Sequence, residues 1–358
     1  MRVVLWWPGV DTSVNDVARG IGAGLVANGV EVVPFFTAVH LEAAHGVLMA
    51  AWRRAKKNGA DTPKPTPVDL YYYANYGVLE RVARYQPDWV VMVSGFMQHW
   101  NYIPYLQRMG ARVAFVCTES PYDLASEVLI GQLADHVFTN ERSITRVFEG
   151  LKPGRVTYLP HAWHPELHRP TGPAPEGTPA HDVVFVGTGF DERVDWLDAM
   201  DWTGLDFGLY GTWPTRMRRL PVYSHWKGGN QPNAHVAALY RAAAVGLNLH
   251  RTSVRWGRKQ GQVRYAESLN PRAYELAACG TFYVSDWRAE VDDVFQGDLP
   301  TAQTPAAMAA LVQRAVREPS WRADVAARCR ERVAAHSWTQ RAAGMVAALE
   351  GSRVARAA

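Results

Sequence analysis

Between two short apolar runs, Val245–His250 and Thr281–Ser285, lies Glu267-Ser268-Leu269-Asn270-Pro271-Arg272-Ala273-Tyr274-Glu275-Leu276-Ala277-Ala278-Cys279-Gly280. No other stretch constrains the fold as tightly. Asn270 is a good N-cap, because its side-chain oxygen can accept a first-turn N–H. Pro271 then falls at the first helical position, where a missing donor costs nothing and φ is already helical. Ala277 and Ala278 let the helix lie close to a sheet. Gly280 suits the left-handed position past the helix end. Loop, short helix and hydrophobic strand in that order are a unit of α/β architecture.

The same residues carry chemistry. A helix N-terminus offers free N–H groups and a positive dipole end, which together favour an anion. Arg272 opposes that dipole, so another task is expected of it, and its planar fork matches phosphate oxygens. Glu275 follows one turn on, and Glu267 precedes the cap. The sum reads as a diphosphate site flanked by two carboxylates able to accept hydrogen bonds from sugar hydroxyls.

The rest of the chain repeats the strand-then-helix pattern. Val3–Trp7, Trp89–Gly95, Arg112–Cys117 and Asp135–Glu141 read as strands of a first domain, 1–164. In its opening unit Gly20, Gly22 and Gly24 fall inside the helix and suit close packing rather than a dinucleotide turn. Residues 40–68 read as less regular, with Arg53, Arg54, Lys56 and Lys57 on a solvated face. Five prolines between Pro165 and Pro179 mark a linker, 165–181. A second domain, 182–336, opens with Asp182–Val186 and then Gly187-Thr188-Gly189, a backbone cradle for phosphate. Arg193 on the next helix is within reach of a diphosphate. Tyr210, Gly211 and Trp213 end a further strand, where the glycine permits close ligand approach and the indole can flank a base or sugar. The loop 251–264 is rich in cations and free of acids. A helix over 337–358, capped at Ser337, completes the chain.

At 358 residues the chain is long enough for two cores. Its net charge of +4 suits an anionic small substrate without demanding nucleic acid. Cys117, Cys279 and Cys329 form no disulfide or metal spacing and point to a reducing, cytoplasmic setting. No run reaches transmembrane length, and no Asp-x-Asp pair is placed for a metal.

Glu267 and Glu275, with seven residues between them and followed by Cys279-Gly280 and a hydrophobic strand, resemble the donor signature of retaining glycosyltransferases with the GT-B fold. Asn270-Pro271-Arg272, with Asp286 and Glu290–Phe295, is similar in particular to the CgeB-like (spore-maturation-protein-like) branch. The resemblance implies two Rossmann-like domains with parallel sheets facing an interdomain cleft, and a last helix crossing back to the first domain. It implies a nucleotide-diphosphate sugar as co-substrate, no cofactor, and retention of configuration. Arg272, Arg193 and Gly187–Gly189 would hold the diphosphate, Glu275 the ribose and Glu267 the transferred sugar. Asn270 and Pro271 would shape the same donor site. Asp11, Ser13, Glu119, Ser120 and His161, all near strand ends of the first domain, would face the acceptor. That acceptor is undecided between protein, glycan and a modified DNA base. A nucleotide-sugar epimerase or phosphorylase, or a non-catalytic nucleic-acid or glycan binder, are the alternatives.

Overall fold

The computed structural model describes residues 1–9, 13–254 and 261–354. They form two compact units, one of Met1–Leu159 with the segment from Ala342 onward, the other of Pro160–Arg341.

The first unit is built on six parallel strands: β1 (Arg2–Trp7), β2 (Glu31–Phe36), β3 (Trp89–Val93), β4 (Arg112–Val116), β5 (His136–Thr139) and β6 (Val156–Tyr158). Their order is β2-β1-β3-β4-β5-β6. All of β3 and all but the first residue of β1 are buried, as expected of strands covered on both faces. Gly22 lies against Leu5, where a Cβ would be tight, so at that position the small-residue reading is met. The final helix, Trp338–Val354, opens with Ser337 Oγ accepting from Gln340 N at 3.4 Å. Further on, Ser352 meets the His136 ring at 3.2 Å.

Residues 40–68 are more regular than expected. A twenty-residue helix, Ala38–Lys57, carries Arg54, Lys56 and Lys57 in its last turn, where cations favour the dipole. A second helix, Pro67–Asn75, starts in a capping box between Thr66 and Asp69. The prolines had masked that box. Asn75, fully buried, then gathers the edge of the sheet. Its Oδ1 accepts from Trp6 Nε1 and Thr37 Oγ1, each at 2.8 Å, and its Nδ2 donates to Met97 O at 2.9 Å.

The second unit holds β7 (Val183–Val186), β8 (Phe207–Tyr210), β9 (Trp226–Gly228), β10 (Val245–Asn248), β11 (Tyr283–Asp286) and β12 (Thr301–Ala302), also parallel, in the order β12-β11-β10-β7-β8-β9. Residues 165–181 carry no helix or strand; Arg241 fastens them through Leu167 O at 3.2 Å and Pro173 O at 2.8 Å. The three cysteines are free and buried. Among the described residues no helix is long and apolar enough to cross a membrane.

Candidate functional site

In the second sheet β7 lies beside β10, and the chain leaves β7 towards β8 on one side but leaves β10 towards β11 on the other. Ligands of open α/β sheets bind outside strand carboxyl ends at such a reversal. The helix Pro271–Ala278 follows β10 and delivers Arg272 to this place. Its start is as the sequence requires: Asn270 Oδ1 accepts from Ala273 N at 3.2 Å, Pro271 is the first helical residue, and Gly280 has φ +73°.

Two arginines cross the reversal. Arg272 Nε donates to Val186 O at 2.8 Å and its Nη1 to Asn248 Oδ1 at 3.2 Å, so one fork joins the ends of β7 and β10. Its Cζ lies 4.6 Å from the Phe185 ring centroid. A guanidinium has five N–H donors; these two bonds and one to the buried Tyr240 hydroxyl leave others for a ligand. Arg193 is different. It is buried, its Nε donates to Leu249 O at 3.0 Å and its Nη1 to Thr188 O at 2.9 Å. The expected diphosphate contact is thus replaced, on those atoms, by a clamp on the backbone.

The glycines of the cradle serve packing more than was expected. A Cβ on Gly187 would strike the Arg272 guanidinium, one on Gly189 the Trp213 ring, and one on Gly211 the Gly187 carbonyl. On those faces the room they leave is filled by protein. Trp213 Nε1 donates to Tyr210 O at 3.2 Å, which holds the indole over the turn. Tyr210 is buried, with its hydroxyl 2.8 Å from His181 Nε2, and His181 Nδ1 is 2.8 Å from Asp206. Its hydroxyl is therefore committed to the inside of the unit.

Glu275 stands one turn beyond Arg272 with its side chain 14% exposed. Burial pushes its carboxyl up to about 7, while the Arg272 charge pulls it back. The His168 Nε2 atom is 3.9 Å away. His168 Nδ1 accepts from His164 N at 3.0 Å, which assigns the ring proton to Nε2, facing Asn233 Oδ1 at 3.3 Å and Glu275. Burial lowers the His168 pKa to about 4, so the contact is not an ion pair at neutral pH.

Glu267 is half-buried, on a loop held by two buried charges that local spacing does not reveal. Arg288 donates to Ala266 O and Arg251 O, both at 2.6 Å, and Glu290 accepts from Leu269 N at 2.6 Å. Glu192 does the same for the loop after β10, accepting from Thr252 N at 2.5 Å and Ser253 N at 3.0 Å. Of the basic loop 251–264, residues 255–260 lie outside the described residues. On either side of them Val254 N donates to Gly261 O at 2.9 Å. A cavity of about 440 Å³ in this unit is lined by Asp191, Glu192 and Asp195 together with Trp196, Ser253 and Gln262, and Arg216 pairs with Asp191 and Asp195. Among the described residues no group of acids, histidines and cysteines could hold a metal ion.

Of the acceptor-side candidates, Asp11 lies outside the described residues, and Ser13 begins the helix Ser13–Ala27. Glu119 is half-buried after β4. Ser120 is buried and donates to the Glu127 carboxylate, which also accepts from Thr118 N and Glu119 N at 2.9 Å each. Burial raises the Glu127 pKa to about 7. His161 falls in the second unit and is buried, with its pKa lowered to about 4 by burial and then by Arg341.

Two six-stranded parallel sheets, each with one reversal, make the fold GT-B. It is shared along 99% of this chain and 100% of the sucrose-phosphate synthase of Thermosynechococcus elongatus, at TM-score 0.66 and 15% identity. The E. coli trehalose-6-phosphate structure bound with UDP-2-fluoro glucose covers 98% of this chain and 99% of its own, at TM-score 0.61 and 12% identity. In sequence, residues 193–347 match the glycosyl transferase-like family. The spore protein CgeB of Bacillus subtilis (strain 168) is 23% identical over 219 residues, 58% of this chain. That alignment spans 66% of the spore protein's own length. In sequence the chain is thus similar to the glycosyl transferase-like family and to the spore protein CgeB, and in fold to these two solved structures.

Proposed function

We propose that the protein moves a sugar from a nucleotide-diphosphate sugar to a hydroxyl-bearing acceptor. The observation that carries this reading is Arg272, joined to Val186 O and Asn248 at the reversal of the second sheet, with Glu275 one turn on. The diphosphate would lie on the first turn of Pro271–Ala278, against the remaining Arg272 donors. Stabilising the charge that develops on it is the largest rate effect expected. Glu275 would accept from the ribose hydroxyls and Glu267 from those of the transferred sugar. The bond from the anomeric carbon to the diphosphate breaks, and one to the acceptor oxygen forms. The acceptor's proton passes to the departing phosphate. Retention of configuration and independence of metal belong to the proposal, as do acceptor-side places for Ser13 and Glu119.

The neighbour of the same fold holding UDP-2-fluoro glucose makes uridine the first nucleotide to try. Thermal shift with UDP and UDP-glucose tests donor binding, since a ligand of the native state raises its stability. Sugar release or transfer is then assayed with and without chelator. Absence of any shift across the uridine, guanosine and thymidine diphosphates and their sugars would overturn the proposal. Conversion of the nucleotide sugar into an isomer with no acceptor added would point to an epimerase instead.

A further inference from the structure

The connection after β3 follows an unusual backbone path. Ser94, Gly95 and Met97 have φ of +82°, +78° and +56°. Side-chain-bearing residues keep such angles only where their surroundings over-determine them. Here they do. Gln98 Oε1 accepts from Gly95 N and its Nε2 donates to Trp6 O, both at 2.9 Å, while Asn75 holds Met97 O.

What this fixed loop presents to solvent is aromatic: Phe96 is 52% exposed and Trp100 37%. Beside it stand Tyr72, Tyr73 and Tyr76, 43%, 52% and 65% exposed. The rings adjoin. Tyr72 lies 5.7 Å from Tyr73 and 5.2 Å from His99, and His99 lies 6.2 Å from Trp100, centroid to centroid. Tyr102 backs Tyr72 at 5.3 Å and donates its hydroxyl to Tyr72 O at 2.8 Å. Single exposed hydrophobic residues are ordinary, but a contiguous exposed patch marks a binding surface. This one sits at the carboxyl edge of the first sheet, at its own reversal between β1 and β3.

We infer that this aromatic platform binds a neutral carbohydrate, which is the acceptor of the transfer. A pyranose offers a flat C–H face ringed by hydroxyls. The platform offers flat ring faces ringed by phenolic hydroxyls that both donate and accept. Phe96, Trp100 and the three tyrosines carry no charge, whereas a nucleic acid demands cations for its phosphates. Naming this ligand as acceptor rests on the proposed transfer; the platform as a binding site does not.

The test is calorimetric titration of the intact protein with cellotetraose and with maltotetraose. At least one binds, and its Kd changes less than about twofold between about 50 and about 300 mM NaCl. Trp100→Ala and Tyr73→Ala each weaken it at least about fivefold while keeping the thermal midpoint and the affinity for the nucleoside diphosphate. Two exposed positions are used so that misfolding of one variant leaves the other to decide. The inference is overturned if neither tetraose binds, or if both variants bind as the parent does. It is also overturned by a concentration-dependent dimer that Trp100→Ala abolishes, or by steeply salt-dependent binding of single-stranded DNA in place of the saccharide. Saccharide binding without diphosphate binding would sink the transfer and keep the platform. The converse would sink the platform alone.

Discussion

The carboxyl edges of the two sheets have the same topology and opposite chemistry. Each sheet reverses beside its first strand. In the first unit the reversal is knitted by neutral groups, Asn75 and Gln98, and dressed with exposed rings. In the second it is crossed by Arg272 and Arg193, with Glu192 and Glu290 tying the adjoining loops. Parallel strands create the crevice in both. Side chains at the strand ends decide whether it suits a neutral, hydroxyl-rich ligand or an anion.

The neutral edge is broken most sharply at Asn75. Asn75→Ala leaves Trp6 Nε1, Thr37 Oγ1 and Met97 O without their partner inside the fold. A loss of about 3–4 kcal/mol is expected by urea unfolding. Stability within about 1 kcal/mol of the parent would show that water takes the place of the amide.

At the charged edge, Arg272→Lys keeps the charge but loses the fork. Nucleotide-sugar turnover should fall roughly a hundredfold, about 3 kcal/mol of transition-state stabilisation. A change confined to KM would mean that the arginine binds donor and transition state alike.

Glu275 sharpens the comparison through pH. Its folded pKa of about 7 exceeds the usual 4.5. A carboxyl raised in this way contributes stability in full below about 4.5, and loses it as the pH climbs through about 7. Glu275→Gln cannot ionise. It is expected to unfold like the parent near pH 4.5 and to be about 2 kcal/mol more stable at pH 8, while donor-dependent activity is lost. Parallel melting curves across that range would remove Glu275 from the site's electrostatics.

The smallest effect is at the cap. Asn270→Ala removes the bond to Ala273 N and should cost about 1 kcal/mol. A larger fall in diphosphate affinity than in stability would show that the cap also shapes the anion site.

Asn270, Pro271 and Gly280 could be read directly, because caps and helix ends depend on residues three or four apart. Strands such as β3 were equally plain, since burial on both faces leaves a continuous apolar run. The capping box at Thr66 was obscured by neighbouring prolines, although Pro67 is the first residue of the helix it opens. Arg193 looked like a ligand contact, and only the fold turned two of its donors onto Leu249 O and Thr188 O. Gly187 and Gly211 announced close approach without saying to what.

The sequence by itself determined two α/β units, the capped helix and the residue types at the strand ends, because these follow from local sterics and periodicity. Only the tertiary structure decided which charges face inward and which polar groups hold the edges. Asn75 meets Trp6 across 69 positions and Arg272 meets Val186 across 86. Partners so far apart in the chain are chosen by packing, and no spacing rule encodes them.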